Sequence, residues 1–208
     1  MANLKTRYTD GARRGFFHVG VVLARAGVTA DMLTLLGLLL QVGVVPLILT
    51  GHFVWAVPLG VVAAVCDALD GAVARAGAGP TTAGAFLDST TDRISELLVG
   101  GALTIYFAGH DMWWTAGASL FFLGASQMVS YTRARAEALG VECKVGLMSR
   151  PERLVALAVG FLLSGITVGG SSVLVWFIWV LAVLTSLTVV QRMLHVMRKL
   201  RRVDAGRS

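Results

Sequence analysis

Asp67-Ala68-Leu69-Asp70-Gly71-Ala72-Val73-Ala74-Arg75, a short Gly/Pro turn, and then Gly84-Ala85-Phe86-Leu87-Asp88-Ser89-Thr90-Thr91-Asp92 form the most informative part of this sequence. Four carboxylates stand in or beside segments apolar enough to cross a bilayer. Charge at that depth is expensive and marks function by default. Asp67 and Asp70 are three residues apart and Asp88 and Asp92 four, so each pair projects from one helix face. A turn at Gly77-Ala78-Gly79-Pro80 brings the two pairs together. Oxygen ligands crowded in this way suit a hard divalent cation, Mg²⁺ first and Mn²⁺ or Ca²⁺ next, with one carboxylate left for proton transfer.

The surrounding composition agrees with a membrane setting. Of 208 residues, 56% are hydrophobic and 14% charged, and the mean hydropathy is +0.74, values that exclude an ordinary soluble domain and fit one membrane domain. Cys66 and Cys143 lack metal-ligand spacing and read as reduced packing residues. The net charge of +6 admits nucleic acid as a partner, but the basic residues flank apolar spans and better suit an anionic membrane surface and phosphorylated substrates. No cleavable leader is expected, because Arg13, Arg14 and Arg25 interrupt the first apolar run.

Residues 5–26 set Lys5, Arg7, Arg13 and Arg14 against Phe16, Phe17, Val19, Val21, Val22 and Leu23. That pattern predicts an amphipathic juxtamembrane helix lying on the membrane surface. Gly27 is expected to end it and Thr29 to cap the first span, 32–50. Further spans are predicted over 53–69, continuing as helix to Arg75; over 82–108; over 113–131, with a polar extension to Gly140; over 151–165, opening on Pro151; and over 173–190. The predicted fold is all-α and integral to the membrane: a single domain with a six-helix transmembrane bundle over 31–195 and a basic cytoplasmic tail over 196–208. Six spans place both termini on one side. All 18 Lys and Arg fall on that side, and the three opposite turns hold only one acid, Asp111. The asymmetry orients the four aspartates toward the cytoplasm, in the plasma membrane.

The residues alone leave three readings open. One is a metal-dependent transferase or hydrolase acting on a phosphate ester at the inner leaflet. In it Asp67, Asp70 and Asp88 bind metal and Asp92 is the general base. Another is a Mg²⁺ transporter whose acids form a translocation site. The third is a buried charge network in which Asp70 and Asp92 pair with Arg75 and Arg93. The acids cluster at one face, with little polar continuation across the membrane beyond Gly71, Ser89, Thr90 and Thr91, and this favours the enzyme. Gly71, Ala74 and Gly84 admit close approach of either a substrate or a neighbouring helix.

A second basic constellation shares that face: Arg133 and Arg135, Arg150 and Arg153, and Arg192. Guanidinium groups converging from three helices suit a phosphorylated ligand, which they bind bidentately. Positive-inside anchoring accounts for Arg198 to Arg202 but less well for Arg133 and Arg153, which lie in polar segments where Glu137 and Glu152 stand ready to orient them. His18, His52, His110 and His195 are scattered without ligand spacing.

The pattern D-x2-D-G-x2-A-R-x8-G-x3-D-x3-D is filled by Asp67, Asp70, Gly71, Ala74, Arg75, Gly84, Asp88 and Asp92, and in this the chain resembles the CDP-alcohol phosphotransferase family. The resemblance implies six membrane helices, commonly a homodimer, and displacement of CMP from a CDP-linked lipid by an acceptor hydroxyl. It implies that Asp67, Asp70, Asp88 and Asp92 hold one or two Mg²⁺ ions, with Mn²⁺ as substitute, and that Asp92 deprotonates the acceptor. Asp31, Gly71, Arg75, Thr81 and Gly84 would bind the CDP-lipid, CDP-diacylglycerol or CDP-archaeol. Ala30 and Ala83 depart from residues common in relatives, a proline and an aromatic. The segments 130–137 and 150–153 resemble the branch whose acceptor is inositol 1-phosphate, including its archaeal ether-lipid counterpart. There Arg133, Arg153 and Arg192 would hold the acceptor phosphate and the product would be phosphatidylinositol phosphate. Glycerol 3-phosphate is the rival acceptor.

Overall fold

The structure is a computed structural model that describes residues 17–77 and 79–205. The 5–16 part of the expected juxtamembrane helix lies outside the described residues; 17–25 is helical and is called α1. Gly27 follows it with φ +83°, and Val28 N–H reaches back to the Leu23 carbonyl (3.0 Å), the bonding of a left-handed helix end. Six helices follow at the six positions where spans are expected: α2 Ala30–Leu49, α3 Phe53–Ala76, α4 Thr82–Gly109, α5 Trp113–Ala138, α6 Arg150–Leu162 and α7 Val173–Ala205. Thr29 Oγ1 accepts from the Met32 N–H at 3.2 Å, so the predicted cap of α2 is made.

Among these, α2, α3 and α7 are long and apolar enough to cross a bilayer. The other three depart for separate physical reasons. α4 carries Asp88, Asp92, Arg93 and Glu96 in its first half, and α5 ends in the polar run Ser130 to Glu137. α6 has 13 residues, about 20 Å of helix against about 30 Å of hydrocarbon. A short strand pair follows it within an otherwise all-helical fold. Thr167–Val168 (β1) pairs antiparallel with Ser171–Ser172 (β2), where a simple turn was expected. Gly169 and Gly170 both have positive φ, +59° and +78°, and such a Gly-Gly pair makes the tight turn that joins two strands.

The described chain divides into two compact units, one made of the part up to Val45 with Pro58–Ser95 and the other of Pro46–Val57 with the part from Glu96 onward. In the first, small residues let helices approach. A Cβ on Gly20 of α1 would stand 2.8 Å from the Ala72 carbonyl carbon of α3, and one on Gly37 of α2 would stand 3.3 Å from the Ala63 oxygen. In the second, Phe53 meets Tyr106 edge-to-face and Phe161 at a tilt, near the start of α3 and the ends of α4 and α6. Leu174, Ile178 and Leu181 of α7 form the buried centre. Cys66 and Cys143 are both buried and free, as their spacing led one to expect.

The loop from α5 to α6 is tied to α7. Thr188 Oγ1 accepts from Met148 N–H (3.0 Å), and Lys199 donates to the Glu142 carbonyl (3.1 Å). Gly146, at φ +127°, has no room for a side chain beside Thr188. The hydrogen bond and charge of Lys144 hold the exposed Glu142 carboxyl below the usual carboxylate range. Ser149, Pro151 and Glu152 open α6. The Ser149 hydroxyl bonds the Glu152 carboxylate, so Glu152 serves the helix start.

Candidate active site

The last turns of α3 supply Asp67 and Asp70, and the early turns of α4 supply Asp88 and Asp92. Asp67, Asp70 and Asp88 each bring one carboxylate oxygen to within 4.8 Å of the others. Asp70 is the most enclosed, 8% exposed, and Thr34 of α2 donates to its Oδ2 at 2.6 Å. That bond fixes one oxygen of the carboxylate. Three mutually repelling carboxylates on α3 and α4 form the hard, anionic oxygen set that Mg²⁺ or Mn²⁺ takes, so the residues present fit such an ion. Asp92, one turn after Asp88, lies outside this trio, with its Oδ2 3.4 Å from Arg93 Nη1. The charge-network reading is met there in part, whereas Asp70 takes a threonine instead of an arginine.

The residues expected at the CDP-lipid fall into two groups. Arg75 is exposed and its guanidinium folds back over Gly71, where an added Cβ would stand 3.3 Å from Nη1. Thr81 caps α4, its Oγ1 accepting from the Gly84 N–H at 3.0 Å. A Cβ on Gly84 would lie 3.0 Å from that oxygen and 3.6 Å from Asp31 Oδ1. Asp31, Thr81 and Gly84 are therefore neighbours, at the start of α2 and of α4.

The arginines differ sharply in their surroundings. Arg133 is half exposed and pairs along its own helix with Glu137 (2.9 Å). Arg153 is 3% exposed; its Nη2 donates to Glu96 Oε1 at 2.7 Å and its Nη1 to the Met148 carbonyl at 3.0 Å. Arg192 is likewise buried, donating to the Val145 and Val129 carbonyls at 2.9 and 2.5 Å. Arg133 and Arg153 both act on Arg192 electrostatically, so the three share one region. Glu96, not Glu152, is the carboxylate that holds Arg153. Sequence reasoning passed over Glu96, although it continues the four-residue spacing of Asp88 and Asp92. It also passed over Ser126, whose hydroxyl donates to Glu96 Oε2 at 2.8 Å.

Carboxylates gathered on apolar helices, together with arginines buried in the same chain, define a membrane enzyme acting on phosphate esters. The CDP-alcohol phosphatidyltransferase family profile matches residues 27–190, and the chain belongs to that family. It is 39% identical over 186 residues to the phosphatidylinositol phosphate synthase of Corynebacterium glutamicum, covering 84% of this chain and 80% of that relative. The archaetidylinositol phosphate synthase of Methanothermobacter thermautotrophicus is 38% identical over 181 residues, 85% of this chain and 87% of its own length. The crystal structure of Mycobacterium tuberculosis phosphatidylinositol phosphate synthase with CDP-DAG bound matches with a TM-score of 0.81 at 35% identity, over 88% of this chain and 94% of that one. The same enzyme in complex with manganese and citrate matches at 0.80 and 35% identity, over 88% of each chain. The chain is a transferase, and the transporter reading is set aside.

Proposed function

We propose that this protein transfers the phosphatidyl group of CDP-diacylglycerol to inositol 1-phosphate, releasing CMP and giving phosphatidylinositol phosphate. The convergence of Asp67, Asp70 and Asp88 in a chain of this family carries the reading. The names of the relatives favour inositol phosphate over glycerol 3-phosphate as acceptor. An archaeal relative of equal similarity makes CDP-archaeol the alternative lipid.

A divalent ion held by the carboxylates of Asp67, Asp70, Asp88 and Asp92 supplies neutralisation of the diphosphate and of the departing CMP. Asp92 removes the proton from the acceptor hydroxyl. The resulting oxygen bonds the phosphorus that bears the lipid, and the bridging oxygen leaves with CMP. Gly71 and Arg75 contact the diphosphate, Thr81 and Gly84 border it, and Asp31 reaches the cytidine. Arg133, Arg153 and Arg192 hold the acceptor phosphate.

The same reading includes six spans, a surface-lying segment 5–26, a homodimer, and an active face toward the cytoplasm. The distribution of Lys and Arg supports the orientation. All five tryptophans, Trp55, Trp113, Trp114, Trp176 and Trp179, stand in the first two turns of α3, α5 and α7 and support the span ends. These helices begin at the ends remote from the basic loops, where an interfacial aromatic belt belongs.

The test is CMP release by the purified protein with Mg²⁺ and CDP-diacylglycerol, offering inositol 1-phosphate, free inositol or glycerol 3-phosphate. Release only with inositol 1-phosphate, lost in EDTA and restored by Mg²⁺ or Mn²⁺, is expected. Release only with glycerol 3-phosphate would keep the chemistry and overturn the acceptor. Silence with all three, and with CDP-archaeol in place of CDP-diacylglycerol, would overturn the reaction.

A further inference from the structure

Glu96 is a carboxylate whose side chain is 9% exposed, on a helix that carries no further charge from this point to its end. Burying such a charge is costly unless it is paired and hydrogen-bonded. Here both oxygens are occupied: Oε2 accepts from Ser126 of α5 at 2.8 Å, and Oε1 from Arg153 of α6 at 2.7 Å, with Arg150 Nε 3.8 Å away. The Met148 carbonyl takes the other terminal nitrogen of Arg153. Two fixed acceptors define the plane of a guanidinium, and that group has five N–H donors in a rigid fork. The bonds described use two of them.

We propose that Glu96, itself oriented by Ser126, is a positioning residue that aims Arg153 at the phosphate of the acceptor. The inference rests on the proposed role of Arg153 and adds a second carboxylate function to α4: Asp88 and Asp92 serve the lipid diphosphate and the hydroxyl, and Glu96 serves the acceptor through an arginine. It sets acceptor affinity and leaves the CDP-lipid untouched. The oxygen facing Arg153, not the negative charge as such, is what the role requires. A glutamine can supply that oxygen while its amide donates to Ser126.

Steady-state CMP release by the full-length protein, with inositol 1-phosphate and CDP-diacylglycerol varied in turn, tests this. Glu96→Ala should raise the KM for inositol 1-phosphate on the order of tenfold, with kcat and the KM for CDP-diacylglycerol within about twofold. Glu96→Gln should restore most of the acceptor KM. Glu96→Ala combined with Arg153→Ala should be no worse for the acceptor than Arg153→Ala alone, since both act through one guanidinium. Additive losses, or Glu96→Gln as impaired as Glu96→Ala, overturn the positioning role. If Glu96→Ala is not recovered as folded protein, Ser126→Ala takes its place with a smaller shift of the same KM, and an unchanged KM there overturns the proposal. An unchanged acceptor KM in Arg153→Ala removes the phosphate role beneath the inference. A raised one beside a silent Glu96→Ala removes the inference alone.

Discussion

At the level of single residues, the carboxylates divide by what already holds them. Asp92→Asn should leave the fold and the Asp67, Asp70, Asp88 trio in place yet lower kcat by about 10²-fold or more, because an amide accepts no proton. Near wild-type turnover in the purified variant would sink the base assignment. Thr34 orients Asp70 as an outer partner orients a metal ligand. Thr34→Val should weaken the apparent Mg²⁺ affinity about tenfold to a hundredfold with little change in saturated rate, read from the Mg²⁺ dependence of CMP release. The convergence of Asp67, Asp70 and Asp88 was legible in the sequence, because helical spacing within α3 and a short turn to α4 set it. What stayed hidden depends on tertiary approach. Thr34 meets Asp70 across 36 positions, and Arg153 meets Glu96 across 57. No local period encodes either pairing.

Among the elements, close packing at glycines governs which changes are tolerated. Gly20→Leu would drive a side chain into the Ala72 backbone of α3, immediately beside Gly71. It should cost about 1–3 kcal/mol of stability, measured by unfolding in detergent. Gly60→Ala, in the same helix as Ala72 but with nothing within 4 Å of the added carbon, should stay within about 0.5 kcal/mol. Six helix positions were readable from apolar runs and their punctuation at Gly27, Gly140 and Pro151, and the observed bounds mostly follow them within a few residues. Two exceptions have physical causes. α7 runs on to Ala205 because its basic end keeps strong helix formers past the apolar stretch. β1 and β2 escaped notice because a ladder of two residues leaves no alternation to detect, only the Gly169-Gly170 pair.

For the whole molecule, the proposed orientation places Asp111 outside the cell and Lys144 inside. Single cysteines at these sites, in a chain whose Cys66 and Cys143 are buried, should react oppositely with a membrane-impermeant maleimide on intact cells: position 111 labelled, position 144 protected until lysis. The reverse pattern would invert the topology. One element bears on how such a protein inhabits its bilayer. α6 gives about 20 Å of helix where the hydrocarbon is about 30 Å thick. The hairpin that follows exposes Thr167, Val168, Gly169 and Gly170, backbone that lipid tails do not tolerate. Under the proposed six-span reading the membrane would have to dimple inward beside α6, a deformation whose elastic energy is set by acyl-chain length. The rate of CMP release should accordingly vary with host lipid at fixed substrate concentration, rising in thin short-chain vesicles and falling in thick long-chain ones. On that reading the surrounding bilayer would act as a mechanical effector of the enzyme.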